Sequence, residues 1–313
     1  MKTVRKLLAA ALVMAMVCGV QGASAEGSKG ILYQVKGGQG TMYLLGSIHV
    51  GNSEMYPFGE AIRQAMEACD TFVYECDTTS NSALREAQSR MFFAGDDTLS
   101  AAIPQPLYDQ FATVCEKIGL NAQNFETVKP WAVINTLAIY ATAAEMGVND
   151  VNEALSLGVE KQVQAYAAQN GKQTAYIETL TEQLDALEGF SPALTQYLLA
   201  GECDVILNPE NAHGMDASIA QWPEWWANGD AEAFSEQYLS SYLETGFEDV
   251  CAEYHDTLVT RRNQLMADRL ETMLTQGGDY FVTVGLLHVA LENDSILTHL
   301  QKKGYTVERL TRP

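Results

Sequence analysis

Short runs of apolar and β-branched residues predict six strands in this chain. Two of the runs flank a glycine-rich linker at residues 36–40, which is typical of a hairpin. Residues 71–76 are almost continuously apolar, as expected for a strand that is buried on both faces. The predicted strands occupy residues 31–35, 41–45, 71–76, 173–177, 280–284 and 305–310.

Between these runs the apolar residues recur every three or four positions, which predicts helices. This spacing occurs in residues 57–68, 82–171, 181–276 and 295–303, with prolines and glycines at the joints. The pattern predicts an α/β (α+β) fold, in which a central mixed sheet carries a large helical insertion. We expect one domain over residues 26–313, with the sheet halves in 26–80 and 277–313 and a mainly helical segment over 81–276.

The first 25 residues have the pattern of a signal peptide. Lys2, Arg5 and Lys6 precede an apolar stretch at residues 7–20, and Ala23-Ser24-Ala25 follows as a cleavage site. The stretch is short for a membrane-spanning helix, so cleavage is favoured over an N-terminal anchor. We expect an exported protein, periplasmic or extracellular, with no membrane span after cleavage.

The chain is acidic, with 40 Asp and Glu against 19 Lys and Arg and a net charge of −21. Nucleic-acid binding needs a cationic face, and this composition excludes it as a partner class. The hydrophobic fraction of 47% is too high for a disordered acidic chain. Zincin, α/β-hydrolase, P-loop and dinucleotide motifs are absent from the sequence. The composition does not indicate an oligomeric state.

Five cysteines follow the predicted signal peptide. An oxidising compartment permits disulfides, but the odd number leaves at least one thiol unpaired, and the spacing does not define a pairing. The alternative is that they are small buried apolar residues. These residues are Cys69, Cys76, Cys115, Cys203 and Cys251.

Two Gly-x-x-His segments follow predicted strands at opposite ends of the chain. They are Gly46-Ser-Ile-His49 and Gly285-Leu-Leu-His288, and each is expected to lead into a helix and a further buried strand. If both strands belong to one sheet, the histidines emerge at the carboxyl ends of those strands. Open α/β sheets bind their ligands at that edge.

Glu75 lies near the end of the apolar strand predicted at residues 71–76. A buried carboxylate is costly unless it is paired or bound to a cation. With His49 and His288 nearby, it would suit a divalent metal that keeps a position open for water. The same three side chains could also perform metal-free acid–base chemistry.

Other polar residues are candidates for supporting roles. Glu178 follows a predicted strand and is either a site residue or an acidic residue in a first helical turn. Arg262 and Asn263 lie in a long helical stretch, where Arg262 is either a substrate clamp or part of a solvated basic face. Three tryptophans indicate a packing corner rather than a substrate-binding patch, and the remaining histidines indicate structural or surface roles. These are Trp222, Trp225 and Trp226, and His213, His255 and His299.

Taken together, these segments resemble the TraB/GumN family, whose animal relatives are the Tiki metalloproteases. The resemblance covers residues 31–313, with its motifs in the family's order. The matching segments are residues 43–51, 70–75, 129–131, 171–172, 177–179, 182–184 and 226–230, Arg262-Asn263, and residues 284–288 and 300–307.

The resemblance implies a peptidase-like fold that depends on a divalent metal of the manganese or cobalt type. It implies that His49, Glu75 and His288 are metal or catalytic residues, supported by Glu178, Arg262 and Asn263 and by the motif glycines Gly46 and Gly285. The sequence departs from the family after the second histidine, where residues 289–292 replace a leucine followed by a glycine.

The leading hypothesis is an exported metal-dependent hydrolase that cuts an amide bond in a peptide or small-molecule substrate. One alternative is metal-free hydrolysis of an ester or lactone by a His/Glu pair. The other is a non-catalytic module that binds a peptide or signal molecule.

Overall fold

Six strands form one mixed sheet in the computed structural model, which describes residues 27–209, 216–242 and 246–313. The sequence prediction of all six is confirmed within a few residues. The predicted signal peptide and His213 lie outside the described residues, so export stays a prediction. The strands are β1 Ile31–Lys36, β2 Thr41–Ser47, β3 Thr71–Tyr74, β4 Gln173–Tyr176, β5 Asp279–Gly285 and β6 Thr306–Arg309.

The strand order β4-β3-β5-β2-β1-β6 places the two strands that precede the GxxH segments side by side. β4, β3, β5 and β2 are parallel, whereas β1 pairs antiparallel with both β2 and β6. Ser47 is in register with Gly285, and Gly46 with Val284. The carboxyl ends of four parallel strands therefore lie at one edge, as the sequence predicted.

Helices occupy most of the chain between β3 and β5, which confirms the helical middle. Short 3-10 turns lie at Ser53–Met55, Ala122–Phe125 and Asp216–Gln221, and a π-helical segment at Asp256–Thr260 joins α12 to α13. The helices are α1 Glu60–Ala68, α2 Asn81–Met91, α3 Leu99–Ala102, α4 Gln105–Lys117, α5 Pro130–Glu145, α6 Val151–Ser156, α7 Val159–Gln169, α8 Leu180–Glu188, α9 Pro192–Leu207, α10 Trp222–Asn228, α11 Ala231–Tyr242, α12 Glu248–His255, α13 Arg261–Gln276, α14 Leu287–Ala290 and α15 Ile296–Lys302.

Local sequence signals set the helix ends near the site. Pro130 and Pro192 stand at the first turns of α5 and α9, where proline loses no hydrogen bond. Thr179 and Glu182 form a capping box that begins α8. Gly229 ends α10 with a φ of 75°, a left-handed conformation that favours glycine.

Among the described residues, the buried side chains form two large clusters and a small third one of Tyr238, Val259 and Leu291. The larger surrounds the sheet, where Phe72, Val73, Phe281 and Val282 are fully buried. The second lies among helices α3, α4, α5 and α9 of the middle segment. Central strands covered on both faces explain why the sequence of β3 and β5 is mostly apolar.

The expectation of a second buried strand at 305–310 is wrong. β6 is an edge strand that pairs only with β1, and its residues alternate between exposed and half-buried. One face of an antiparallel edge strand meets solvent, so Thr306 and Glu308 can be polar and exposed. The apolar residues Tyr305, Val307 and Leu310 led to the prediction of a buried strand.

All five described cysteines are buried and none forms a disulfide. Burial raises the pKa of the Cys69 and Cys203 thiols to about 12, which makes them unreactive. This agrees with the packing interpretation of the cysteines. In the described part of the chain, no helix is both long and apolar enough to cross a membrane.

Candidate functional site

A cleft of about 810 Å³ opens at the carboxyl ends of the parallel strands. Its lining includes five residues that the sequence predicted, from both ends of the chain and from the helical middle: His49, Glu75, Arg262, Gly285 and His288. Two further predicted residues, Glu178 and Asn263, contact this lining from behind. The sheet edge therefore brings the predicted site residues together.

Arg262 lies between two buried carboxylates. Its Nη2 donates to Glu75 Oε2 and to Glu178 Oε2, both at 2.7 Å, and its Nε donates to Glu178 Oε1 at 2.9 Å. Its Nη1 donates to the Leu258 carbonyl oxygen at 3.3 Å. Because all three guanidinium nitrogens have protein acceptors, Arg262 acts here as the counter-ion of Glu75 and Glu178 rather than as a free clamp.

Glu75 is fixed by further donors. Its Oε1 accepts a hydrogen bond from the Gly285 backbone N–H at 2.6 Å, and its Oε2 accepts one from Gln183 Nε2 at 3.0 Å. Burial raises the pKa of Glu75, but Arg262, the two nearby histidines and the Gly285 N–H outweigh it and lower the pKa to about 2. Glu75 is therefore an ionised carboxylate in the site.

Glu178 contacts Arg262 of the cleft lining and lies before the first turn of α8 rather than within it. It precedes Thr179, the N-cap of α8, and its backbone N–H donates to the Glu75 carbonyl oxygen at 2.6 Å. Burial raises the pKa of its side chain, while the hydrogen bonds from Arg262 oppose that effect. One arginine thus serves two carboxylates that repel each other.

The His288 ring is held in one tautomer. Its Nδ1 lies 2.6 Å from Asn263 Oδ1, while Asn263 Nδ2 donates to the Asp294 carbonyl oxygen at 2.8 Å. The second bond orients the amide so that its oxygen faces His288, and Nδ1 must then carry the proton. His288 Nε2 therefore carries a lone pair, 3.8 Å from Glu75 Oε1. Burial lowers the pKa of His288 to about 4, which keeps the ring neutral.

His49 has a different environment. Its side chain is 68% exposed, and its Nδ1 lies 3.8 Å from Glu160 Oε2. The one-residue offset between the two strands, Gly46 opposite Val284, places the two GxxH segments out of step. Residues after Gly285 turn at once into α14, which buries His288, whereas no helix contains His49. The two histidines share one edge without being equivalent.

Backbone contacts fix the segment that carries His49. The Gly51 N–H donates to the Ala154 carbonyl oxygen at 3.0 Å, and the Val159 N–H donates to the Ile48 carbonyl oxygen at 2.9 Å. A Cβ on Gly158 would lie 2.2 Å from the His49 carbonyl oxygen, so the two backbones touch. A side chain at position 158 would push the two backbone segments apart and move His49.

We expect Gly158→Ala to destabilise the protein by about 1–3 kcal/mol, because the added methyl group forces two packed backbones apart. Urea unfolding monitored by circular dichroism measures the change. Gly201→Ala in the middle of α9 is the control: its new Cβ meets nothing within 4 Å, and it should stabilise by about 0.5–1 kcal/mol. Equal effects of the two substitutions would contradict the close contact at Gly158.

Several residues of the cleft lining were not predicted from the sequence, and three of them bear on the site. Burial raises the pKa of Glu160, which lies beside His49. Gln183 links Glu75 to Cys76, whose thiol lies 3.2 Å from Gln183 Oε1. Ser47 is only 2% exposed, and within the described residues its hydroxyl has no hydrogen-bond partner. Gly158, which breaks the helical pattern just before Glu160, is the signal that could have identified that residue.

The tryptophans form a packing corner for the most part, as the sequence favoured. Trp226 is fully buried, and its Nε1 donates to the Gly46 carbonyl oxygen at 2.8 Å. Trp225 packs edge-on against Phe234, with ring centroids 5.3 Å apart. Trp222 alone of the three lines the cleft.

Two other predicted groups lie outside the cleft lining. His255 and His299 contact the Asp294 carboxylate at 3.1 Å and 3.4 Å, in keeping with a structural role. Val289, Ala290 and Leu291, which depart from the family pattern, are buried. Val289 packs against Gly46, so this departure alters the core beneath the site.

The predicted metal ligands line one cleft but are not arranged as a ligand set. Glu75 already accepts hydrogen bonds at both oxygens, and His49 is nearest to Glu160. Among the described residues, no group of three or more His, Cys, Asp or Glu side chains is placed to hold an ion. The imidazole nitrogens suit manganese or cobalt, but the three-ligand set does not fit. A bound metal stays a prediction.

Comparison with known proteins agrees with the motif pattern. The sequence model of the TraB/PrgY/gumN family matches residues 31–309, and the chain belongs to this family. It is 22% identical over 249 residues to "Uncharacterized protein YbaP" of Escherichia coli (strain K12), covering 79% of this chain and 83% of that protein. The Shigella flexneri protein of the same name gives the same values. No solved structure matches significantly.

Proposed function

We propose that this chain is a hydrolase that cleaves a peptide-like amide bond in the cleft, with His288 as the residue at which water is activated. The observation that supports this most is the fixed tautomer of His288. Its Nδ1 proton is committed to Asn263, so the Nε2 lone pair is available in a cleft that also contains Glu75. A buried base oriented by a second side chain is the arrangement that general-base catalysis requires.

In this proposal Nε2 of His288 accepts a proton from water as the water attacks the substrate carbonyl. Glu75, ionised and 3.8 Å away, stabilises the imidazolium that forms. Arg262 keeps Glu75 in place and charged. The buried Ser47 hydroxyl is a donor for the oxygen on which negative charge develops.

A second candidate is the hydrolysis of an ester or lactone without a metal. Its support is the pair that the first proposal also uses: His288 Nε2 lies 3.8 Å from Glu75 Oε1, and Arg262 pairs with Glu75. Esters need less activation than amides because their leaving group is better. The same proteins tested on both substrate types distinguish the two candidates.

We expect His288→Ala to lower turnover by at least about 100-fold, because it removes the general base. Asn263→Ala should lower turnover by about 10–100-fold, because it frees the His288 tautomer. His299→Ala, which changes a histidine outside the cleft lining, is the control and should keep wild-type turnover. Peptide, ester and lactone libraries, with product formation as the readout, provide the measurement.

Metal dependence is tested on the same proteins. Elemental analysis and activity are compared before and after a chelator and after addition of manganese or cobalt. Stoichiometric metal that is lost in both His49→Ala and His288→Ala would establish an ion in the site. Activity that survives the chelator would show that water activation at His288 needs no metal, on whichever substrate type is hydrolysed. Saturable peptide binding with no product from any library would contradict the hydrolase and indicate the binding module.

A further inference from the structure

A second cavity, of about 330 Å³, lies in the helical middle of the chain. Aromatic and apolar side chains form much of its lining, among them Phe93, Phe190 and Trp131. Lys129 and Glu188 also line it and pair with each other at 3.0 Å. No residue that the sequence analysis assigned to the site lines this cavity.

Trp131 has an unmet hydrogen-bond donor. The residue is 8% exposed, and its indole Nε1 is buried with no acceptor among the described residues. Trp222 and Trp226, by contrast, donate to Ser218 Oγ and to the Gly46 carbonyl oxygen. A buried donor without a partner costs about 1–3 kcal/mol. The Trp131 indole therefore brings an unmet donor to the side of this cavity.

The cavity adjoins the cleft along two helices. Leu187 of α8 lines both spaces. On α5, Trp131 lines the cavity and Asn135, one turn further along the same face, lines the cleft. One helical turn rises about 5.4 Å, which about two residues of an extended chain span. A substrate in the cleft can therefore reach the cavity with its next residues.

The charges around the cavity favour a neutral acceptor over an anion. Glu188 accepts hydrogen bonds from both Lys129 and Arg90, at 3.0 Å and 2.7 Å, and Asp185 also pairs with Arg90. The two cations are thus balanced by two carboxylates. A peptide carbonyl oxygen is an uncharged hydrogen-bond acceptor. An apolar side chain next to it in the peptide would suit the aromatic lining of the cavity.

We propose that this cavity is a remote subsite of the cleft. It binds a large apolar side chain of an extended peptide, whose backbone carbonyl accepts a hydrogen bond from Trp131 Nε1. The volume lies at the lower end of ligand pockets, about 300–1,000 Å³, and suits one residue rather than a whole peptide. The assignment as a substrate subsite rests on the proposed hydrolase, whereas binding of the residue itself does not.

The test uses N-acetyl-phenylalaninamide as the probe and N-acetyl-glycinamide as its matched control. The chain has four tryptophans, so isotope-edited NMR gives separate indole signals that Trp→Phe variants assign. We expect the phenylalanine probe to shift the Trp131 indole signal saturably, and the glycine probe to leave it unchanged. Trp131→Phe removes this signal, so its binding is followed at the backbone amides of Ile103 and Leu187, which line the same cavity. It should be about 5–10-fold weaker, because one hydrogen bond is lost.

A second variant covers the case in which Trp131→Phe fails to fold. Ala102 is exposed at the cavity, so Ala102→Trp should fill it and abolish probe binding in a folded protein. A Trp131 signal that is unmoved at saturating probe concentration would overturn the subsite. Equal responses to the phenylalanine and glycine probes would also overturn it.

Kinetics separates this proposal from the proposed function. If peptides are hydrolysed, adding a phenylalanine at the subsite should lower KM without changing kcat, and Trp131→Phe should remove that gain. A KM that does not change when the phenylalanine is added would overturn the subsite but not the proposed hydrolase. Probe binding at Trp131 in a protein without hydrolytic activity would overturn the hydrolase and support the binding site.

Discussion

Arg262→Met is expected to lower the free energy of unfolding by about 3–5 kcal/mol. The substitution leaves Glu75 and Glu178 buried together without their cation, with side chains that are 9% and 1% exposed. Their mutual repulsion and desolvation then oppose folding, and methionine offers no hydrogen-bond donor to either carboxylate. Urea unfolding of the wild type and the variant gives the difference.

The neighbouring residue provides the control for Arg262. Arg261 has the same charge but is 74% exposed and pairs with Asp256 at the surface. Arg261→Met should therefore change stability by no more than about 0.5 kcal/mol. Adding Glu75→Gln and Glu178→Gln to Arg262→Met should restore part of the loss, because the uncompensated charges are removed. A cost below about 1 kcal/mol for Arg262→Met would mean that the carboxylates do not depend on this arginine.

The second large effect is expected at Trp226. This side chain is fully buried and contacts the Phe58 ring, so Trp226→Ala should cost about 3–5 kcal/mol through the cavity that it leaves. Trp226→Phe retains most of the packing but removes the donor to the Gly46 carbonyl oxygen, at a cost of about 1–3 kcal/mol. Thermal and urea unfolding measure both variants.

Trp225→Ala is the matched comparison, because Trp225 is the adjacent residue on α10 and only half-buried. Its edge-on contact with Phe234 indicates a smaller loss, of about 1–2 kcal/mol. If Trp225→Ala proved as costly as Trp226→Ala, burial would not explain the difference between the two tryptophans.

The fold was predictable where burial leaves a simple pattern. Phe72 and Val73, in a strand covered on both faces, gave an unbroken apolar run and were read correctly. The prediction that β6 is buried was wrong, because its half-buried residues alternate with exposed ones at the sheet edge. Whether a strand is central or at an edge depends on strand order, which short-range pattern does not encode.

The site was predictable where a residue violates its local pattern. A carboxylate ending an apolar strand, Glu75, and two histidines after strand glycines stood out in this way. Glu160 and Ser47 did not, because an acidic residue in a first helical turn and a small polar residue are ordinary in sequence. The unequal surroundings of His49 and His288 arise from strand register and from α14, which only the assembled sheet determines.

The strand order also decides when this protein can assemble. β2 and β5 lie side by side in the middle of the sheet, although Thr41 and Asp279, which face each other, are 238 residues apart in the chain. When the helical middle has been synthesised, β1, β2, β3 and β4 exist, but β5, which lies between β3 and β2 in the sheet, does not. Residues 279–309 complete the sheet, so the nascent chain carries open strand edges until these residues have been made.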